Sequence, residues 1–132
     1  MNLDFDTTAP GARITISLDE RERDLLGEDV ALPILLHRAM QAIVALRSGE
    51  RPAGTSTTAG NWAEMTKRTA QLTRILSGVL DGEIRAHAAA GGSARQLGRA
   101  LGTDHQQAHS RRAELLAKAP GVREPVRTEQ AA

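Results

Sequence analysis

The side chains best suited to chemistry are concentrated in residues 91–112, GGSARQLGRALGTDHQQAHSRR. Arginine can neutralise a phosphate and release its counterion. Glutamine can form two hydrogen bonds with adenine in the major groove, and serine can donate or accept there. These properties identify the following candidate contacts to duplex DNA: Arg95, Arg99, Thr103, His105, Gln106, Gln107, His109, Ser110, Arg111 and Arg112.

The same stretch also contains a possible pair of metal ligands. His105 and His109 are four residues apart, which places both on one helical face, and His87 or Asp104 could add a third ligand. However, the chain has no cysteine and no HExxH motif. It also has no carboxylate pair at catalytic spacing, glycine-rich phosphate loop or nucleophile elbow. We therefore expect no enzymatic activity, no bound metal and no cofactor.

Two short helices separated by a glycine turn are predicted to position these side chains. Ser93 can cap the first helix, with Gln96 completing a capping box. Gly102 ends that helix, since glycine adopts the left-handed conformation at little cost. Thr103 is predicted to cap the second helix together with Gln106. The first helix has an apolar face formed by Leu97, Ala100 and Leu101, and its small Gly98 allows the two helices to cross closely.

This stretch resembles a helix-turn-helix common in bacterial DNA-binding proteins, in which an "ALG" turn precedes a polar helix. The matching residues are Leu101, Gly102, Gln106, Ala108, His109 and Arg111, and the departures are Thr103, Gln107 and Arg112. The resemblance implies that the second helix enters the major groove, with its early residues towards the bases. It also implies phosphate contacts for the arginines, and it covers residues 91–112 only.

The second helix has few apolar residues to anchor it, namely Ala108, Leu115 and Leu116. Either Arg111 or Arg112 must therefore lie nearer the core, where its methylene stem could replace the missing apolar contact.

Composition narrows the class of protein. The 132 residues suffice for one domain or two small ones. A single Phe, a single Trp and no Tyr exclude an aromatic platform for single-stranded nucleic acid. No run of eighteen apolar residues and no signal-peptide pattern occur, so we expect a cytoplasmic protein with no membrane partner.

Charge is distributed unevenly along the chain. Residues 1–30 contain eight acidic and three basic side chains, whereas residues 91–123 contain six basic and two acidic ones. A basic carboxyl-terminal half favours a chain that presents this end to phosphates. A solvated face of mixed charge is the alternative.

The amino-terminal part is predicted to contain a strand and a short helix. Residues 1–11 are polar and expected to be loose, while the alternation in residues 12–18, ARITISL, predicts a half-buried strand. Either Ser17 with Glu20 or Asp19 with Glu22 could cap an acidic helix that ends near Gly27. A strand followed by helices also resembles ribbon-helix-helix dimers. Because the outward strand residues include only one base, Arg13, a dimerising strand is favoured over one that contacts DNA.

Residues 32–47 are predicted to form the most apolar helix, with Pro33 in its first turn. Its stripe comprises Leu32, Leu35, Leu36, Ala39, Ile43 and Leu46, widened by Ile34, Met40 and Val44. A helix that is apolar on most of its circumference requires burial on most sides. We therefore expect self-association through this helix.

The Gly-, Ser- and Thr-rich residues 53–60 are predicted to be a linker, after which Asn61 and Glu64 cap a long helix. That helix has a seam of heptad-like spacing formed by Trp62, Met65, Thr69, Leu72, Leu76 and Val79. The seam suits either packing on the helix-turn-helix core or a coiled-coil contact between protomers. Gly78 and Gly82 are expected to weaken or bend the helix, or to let another helix approach closely.

We therefore predict a mainly α protein with a short amino-terminal strand. Its segments are an oligomerising strand and helix at 1–52, a linker at 53–60, a helix-turn-helix domain at 61–120 and a disordered tail at 121–132. The predicted function is sequence-specific duplex DNA binding by a homodimeric transcriptional regulator. The alternatives are an oligomeric DNA-recognition protein, such as a viral packaging subunit, and a protein-interaction adaptor that uses the motif as a scaffold.

Overall fold

Five helices follow a two-stranded antiparallel sheet in a computed structural model that describes residues 1–8, 10–27 and 31–127. The mainly α fold class predicted from the sequence is confirmed. The chain divides into two units, one formed mainly by Met1–Pro33 and the other by Ile34–Val126. This boundary differs from the linker predicted at 53–60.

The sheet consists of strands β1, Asn2–Asp6, and β2, Arg13–Ser17. Leu3 pairs with Ile16 and Phe5 with Ile14, so four apolar side chains share one face of the hairpin. The predicted strand at 12–18 is confirmed, but the expectation that residues 1–11 are loose is wrong for β1. The alternation of Met1, Leu3 and Phe5 with polar residues was a signal for β1, but it covers only three apolar positions and was outweighed by the polar character of the segment.

Helix α1, Glu20–Leu26, begins with a complete capping box. The amide of Glu22 donates to Oδ1 of Asp19 over 2.7 Å, and this bond lowers the pKa of the Asp19 carboxyl below its ordinary value of 3.8. The amide of Asp19 donates in turn to the Glu22 carboxylate. Of the two caps that the sequence allowed, the structure therefore uses Asp19 with Glu22, and α1 ends at Gly27.

Helix α2, Leu32–Ser48, confirms the predicted apolar helix, with Pro33 in its first turn. Only Leu35 and Ala45 of this helix are buried. The predicted burial of the whole stripe is therefore not achieved within one chain, since Leu36, Met40, Ile43 and Leu46 remain exposed.

Helix α3, Thr58–Ala89, begins one turn before the predicted cap and runs without interruption through Gly78 and Gly82. Its N-cap is Thr57, whose hydroxyl accepts from the amide of Gly60 over 3.0 Å. Asn61, the predicted cap, instead exchanges hydrogen bonds with the backbone of Ser56. The predicted seam is buried fully only at Leu72, while Leu76 is 46% exposed.

Helices α4, Ala94–Leu101, and α5, His105–Leu116, pack on the carboxyl-terminal part of α3. Their common core comprises the buried residues Ile84, Leu97, Ala108 and Leu115, with Leu80 and Leu101 packed against it. Two predicted core residues differ from expectation: Ala100 is exposed and Leu116 is 55% exposed. Leu116 follows Leu115 and therefore lies about 100° around the helix from it.

The segment after α5 returns to α3. The backbone of Arg123 lies against Gly78, and Pro125 lies against Gly82. Within the tail expected to be disordered, residues 123–125 therefore pack on α3, whereas Val122 and Val126 are exposed. Residues 128–132 of that tail lie outside the described residues. Within the described ranges, no helix is both long and apolar enough to span a membrane.

Candidate nucleic-acid interface

Local hydrogen bonds define where α4 begins and ends. The Ser93 hydroxyl accepts from the amide of Gln96 over 3.1 Å, and Oε1 of Gln96 accepts from the amide of Ser93 over 3.2 Å. Gly102 has a left-handed backbone with φ of 69°. The capping box and the glycine turn predicted from the sequence are both confirmed.

The cap of α5 lies one residue later than predicted. Asp104, not Thr103, is the N-cap, and its Oδ1 accepts from the amide of Gln107 over 2.8 Å. Thr103 remains in the turn, where its hydroxyl donates to the carbonyl of Asp104 over 3.3 Å. The Asp104 carboxylate is therefore directed towards the backbone of its own helix.

Gly98 brings α4 close to the turn that follows it. The amide of Thr103 donates to the Gly98 carbonyl over 2.9 Å. A Cβ at Gly98 would lie 2.9 Å from the carbonyl oxygen of Thr103 and 3.1 Å from that of Asp104. Because no side chain fits between these groups, Gly98 determines how closely α4 approaches the start of α5.

The two sides of α5 differ in polarity. Ala108 is completely buried and Leu115 is 5% exposed. Gln106 and Ser110 are four residues apart and therefore share a face, which points away from Ala108. A shallow depression on this exposed side is lined by Asp104, Gln106, Gln107, Ser110, Arg111 and Glu114.

Nine of the ten predicted contact residues are exposed, and Arg112 is half-buried. Seven of them belong to α5, namely His105, Gln106, Gln107, His109, Ser110, Arg111 and Arg112. Arg95 and Arg99 share a face of α4, since they are four residues apart, and Thr103 lies in the turn. The structure therefore brings these residues onto the α4–α5 pair.

The four arginines of this region have different surroundings. Within the described residues, Arg95 and Arg99 form no ion pair. Arg111 lies with its Nη2 3.7 Å from Oδ1 of Asp81 on α3, and both side chains are partly exposed. Arg112 donates from Nη1 to the carbonyl of Gly92 over 2.8 Å. Arg112 is therefore the arginine that lies nearer the core, a choice that the sequence left open.

Arg112 connects α5 to the turn between α3 and α4. The imidazole ring of His87 lies against Gly92 in the same turn, so closely that a Cβ at Gly92 would collide with it. The amide of Gly92 also donates to the carbonyl of His87. One amino group of Arg112 is therefore engaged with the protein. Its side chain holds α5 against the start of α4, in addition to any contact outside the protein.

The net positive charge of the site comes from Arg95 and Arg99 on α4, because Asp104 and Glu114 offset the charges of the two arginines on α5. The exposed side of α5 carries Asp104 and Glu114 beside Arg111.

His105 and His109 are exposed, and within the described ranges no three His, Cys, Asp or Glu side chains are grouped closely enough to hold a metal ion.

Sequence reasoning missed the contacts that hold the segment after α5. Nε of Arg85 lies 2.6 Å from Oε1 of Glu124, in the geometry of an ion pair rather than of an aligned hydrogen bond. Nη2 of Arg85 also donates to the carbonyl of Lys118 over 2.9 Å, just beyond α5. The available signal was the Gly78–Gly82 spacing, which was expected to bend or weaken the helix or to let another helix approach, and instead lets the turn at Arg123 and the following Pro125 approach.

Comparison with known protein families, curated proteins and solved structures finds no match to this chain.

Proposed function

We propose that this protein binds duplex DNA through the α4–α5 pair, used as a helix-turn-helix, and acts as a homodimeric transcriptional regulator. The observation that carries the proposal is the division of α5 into two faces. Ala108 and Leu115 are buried, while Gln106 and Ser110 are exposed. A short helix that is anchored on one side and offers hydrogen-bonding groups on the other suits the major groove.

In this proposal α5 contacts base edges. Gln106, in the first turn, forms two hydrogen bonds with adenine, and Ser110 serves as an adaptable donor or acceptor one turn later. Thr103, His105, Gln107 and His109 surround these two residues and contact the neighbouring bases or sugars. The depression between Gln106, Gln107 and Ser110 supports this arrangement because it leaves their polar groups open.

Arg95 and Arg99 contact the phosphates. Neither has an acidic partner among the described residues, so binding a phosphate would break no ion pair. Arg111 can also contact a phosphate, but the phosphate would compete with Asp81 for its guanidinium group. Arg112 acts mainly by positioning α5 through the Gly92 carbonyl.

The acidic groups near α5 limit the affinity of a single α4–α5 pair. The Asp104 carboxylate is occupied in capping, but Glu114 lies on the exposed side without a cationic partner among the described residues. When two linked α4–α5 pairs bind one DNA, the first raises the effective concentration of the second. A dimer can therefore bind tightly although each pair binds weakly.

The test is selection of duplexes from a random pool by the purified full-length protein, followed by a salt titration on the selected site. We expect enrichment of a site with two related halves. We also expect log affinity to fall linearly with log salt, at about 0.9 units per phosphate contacted. Absence of salt-sensitive duplex binding would refute the proposal.

A protein-interaction adaptor is the second candidate, because Asp104 and Glu114 lie on the exposed side of α5. An adaptor would use the α4–α5 pair as a scaffold and show no duplex binding in the selection. The same experiment therefore separates the two functions.

A further inference from the structure

Helix α2 carries an apolar stripe that the described residues of the same chain do not cover. Six large apolar side chains of this helix are substantially exposed. Leu36 at 39%, Met40 at 54%, Ile43 at 48% and Leu46 at 68% lie along the stripe, and the other two are Ile34 and Val44. The helix is anchored elsewhere by the buried Leu35 and Ala45. An exposed apolar stripe of this length marks an interaction surface.

The spacing of the stripe indicates which kind of partner it fits. Leu36, Ala39, Ile43 and Leu46 are separated by three, four and three residues, which is the a/d pattern of a coiled-coil seam. Leu36 and Ile43 are then at a, and Ala39 and Leu46 are at d. In parallel coiled coils, a β-branched residue at a with leucine at d favours an assembly of two helices, and Ile43 with Leu46 supplies this combination. The partner is therefore another helix with the same period.

Charge narrows the choice of partner helix. The described part of α2 has no acidic residue, and its cationic side chains are Arg38 and Arg47. In a parallel pair, Arg47 would face Ala42 of the second helix, a small uncharged residue. A second copy of α2 therefore brings no like charges together. A partner helix with many charged residues is disfavoured, because α2 offers no series of opposite charges along the seam to pair with them.

We infer that α2 pairs in parallel with α2 of a second copy of this chain, through the seam formed by Leu36, Ala39, Ile43 and Leu46. This inference rests on the proposed function in that it assigns the surface of the proposed homodimer. Four seam residues are fewer than the side chains that bury about 800 Å² per partner in a standard interface. We therefore expect a concentration-dependent monomer–dimer equilibrium.

Sedimentation equilibrium of the full-length protein and two matched variants tests the seam. Ile43→Glu places a charge at an a position, whereas Ile34→Glu makes the same change on the same helix at an f position that is 61% exposed. We expect the mass of wild type and Ile34→Glu to rise with concentration from 14.1 kDa towards twice that value. Ile43→Glu should remain monomeric with unchanged helicity, because Ile43 is half exposed in one chain.

Cysteine cross-linking keeps the inference testable if Ile43→Glu fails to fold. The chain has no cysteine, so Leu46→Cys introduces a single thiol at a d position. In a parallel seam the two d residues face each other, and mild oxidation should yield a disulfide-linked dimer. Ile34→Cys, at the f position, should yield none.

The outcomes distinguish the inference from the proposed function. A monomeric wild type, an undiminished dimer of Ile43→Glu, equal cross-linking of both cysteine variants, or a ring of many subunits would each overturn the seam. Duplex binding with any of these results would leave DNA binding by the α4–α5 pair standing, although a monomeric wild type or a ring would also remove the proposed homodimer. A seam dimer without duplex binding would overturn the function alone. If both hold, Ile43→Glu should lose about 10²-fold in affinity for a two-half site and keep its affinity for a single half.

Discussion

At the scale of single residues, α5 separates side chains that hold the fold from those free to act outside it. Ala108 and Leu115 fill the core, and Arg112 reaches the Gly92 carbonyl. Gln106 and Ser110 have no such role, since neither side chain forms a hydrogen bond among the described residues. Substituting them should therefore affect recognition while leaving stability nearly unchanged.

Gln106→Ala and Arg95→Ala should affect binding in different ways. Without the Gln106 amide, the protein should lose about 1–3 kcal/mol of discrimination between the selected site and random duplex. Arg95→Ala should weaken binding to all duplexes alike and reduce the salt slope by about one unit. Salt titrations on both DNAs measure these effects.

Arg38→Ala is the matched control, because Arg38 is an exposed arginine on α2, outside the proposed interface. Arg38→Ala should change neither the discrimination between the selected site and random duplex nor the salt slope. Loss of site preference in Arg95→Ala, with preference intact in Gln106→Ala, would contradict the assigned roles of the two helices.

Gly98→Ala should destabilise the protein, because its new methyl group would meet the carbonyl oxygens of Thr103 and Asp104, the nearer at 2.9 Å. Overpacking against backbone typically costs about 1–3 kcal/mol in the free energy of unfolding. Urea denaturation measures the loss. Gly121→Ala is the control, since a Cβ there meets nothing within 4 Å. Equal stability of the two variants would show that the turn can relax.

At the scale of elements, α3 serves as the support for both α5 and the segment that follows it. Arg85 on α3 contacts Glu124 and the carbonyl of Lys118, so one side chain joins the end of α5 to the returning segment. The Glu124 side chain is 4% exposed and that of Arg85 is 18% exposed. This degree of burial makes the pair sensitive to loss of either partner.

Glu124→Ala should therefore lower the free energy of unfolding by roughly 3 kcal/mol, because Arg85 is left as a mostly buried, uncompensated charge. Glu83→Ala removes an exposed glutamate from α3 and should change stability by less than about 0.5 kcal/mol. Thermal and urea denaturation of both variants provide the comparison. Wild-type stability of Glu124→Ala would mean that residues 121–126 do not support the α3–α5 packing.

At the scale of the whole molecule, the two units differ in how many apolar side chains they bury. Both strands and α1 contain no buried residue, and Leu3, Phe5, Ile14 and Ile16 are all about half exposed or more. A two-stranded hairpin without a covering layer is only marginally stable in water. The unit of Ile34–Val126, by contrast, contains the core built around Ile84 and Leu115.

Hydrogen exchange of the dilute full-length protein should reveal this difference. We expect amides of β1, β2 and α1 to exchange much faster than those of α5 and the adjoining part of α3. Mass spectrometry of peptides at a concentration where the chain is monomeric measures both units in one sample. Equal protection in the two units would contradict the prediction.

Several interactions between residues three or four apart could be predicted from the sequence itself, although the caps of α3 and α5 lie at Thr57 and Asp104 and not at the predicted Asn61 and Thr103. The Ser93–Gln96 capping box, the Asp19–Glu22 capping box, the left-handed Gly102 and the position of Pro33 in α2 all involve neighbours within one helical turn. Their geometry follows from local hydrogen bonding and steric limits, so reading the residues in order was enough. The exposed, polar set on the α4–α5 pair follows from the same periodicity.

Only the tertiary structure decided features that depend on residues far apart in the chain. Leu3 and Phe5 belong to a strand because Ile16 and Ile14 lie opposite. Residues 123–125 pack on α3 because Gly78 leaves room for the backbone of Arg123. Arg112, not Arg111, turns inward because the Gly92 carbonyl, twenty residues earlier, accepts its hydrogen bond. Each of these features requires two distant segments to meet, which happens only when the chain folds back on itself. No local preference encodes which distant group will be there.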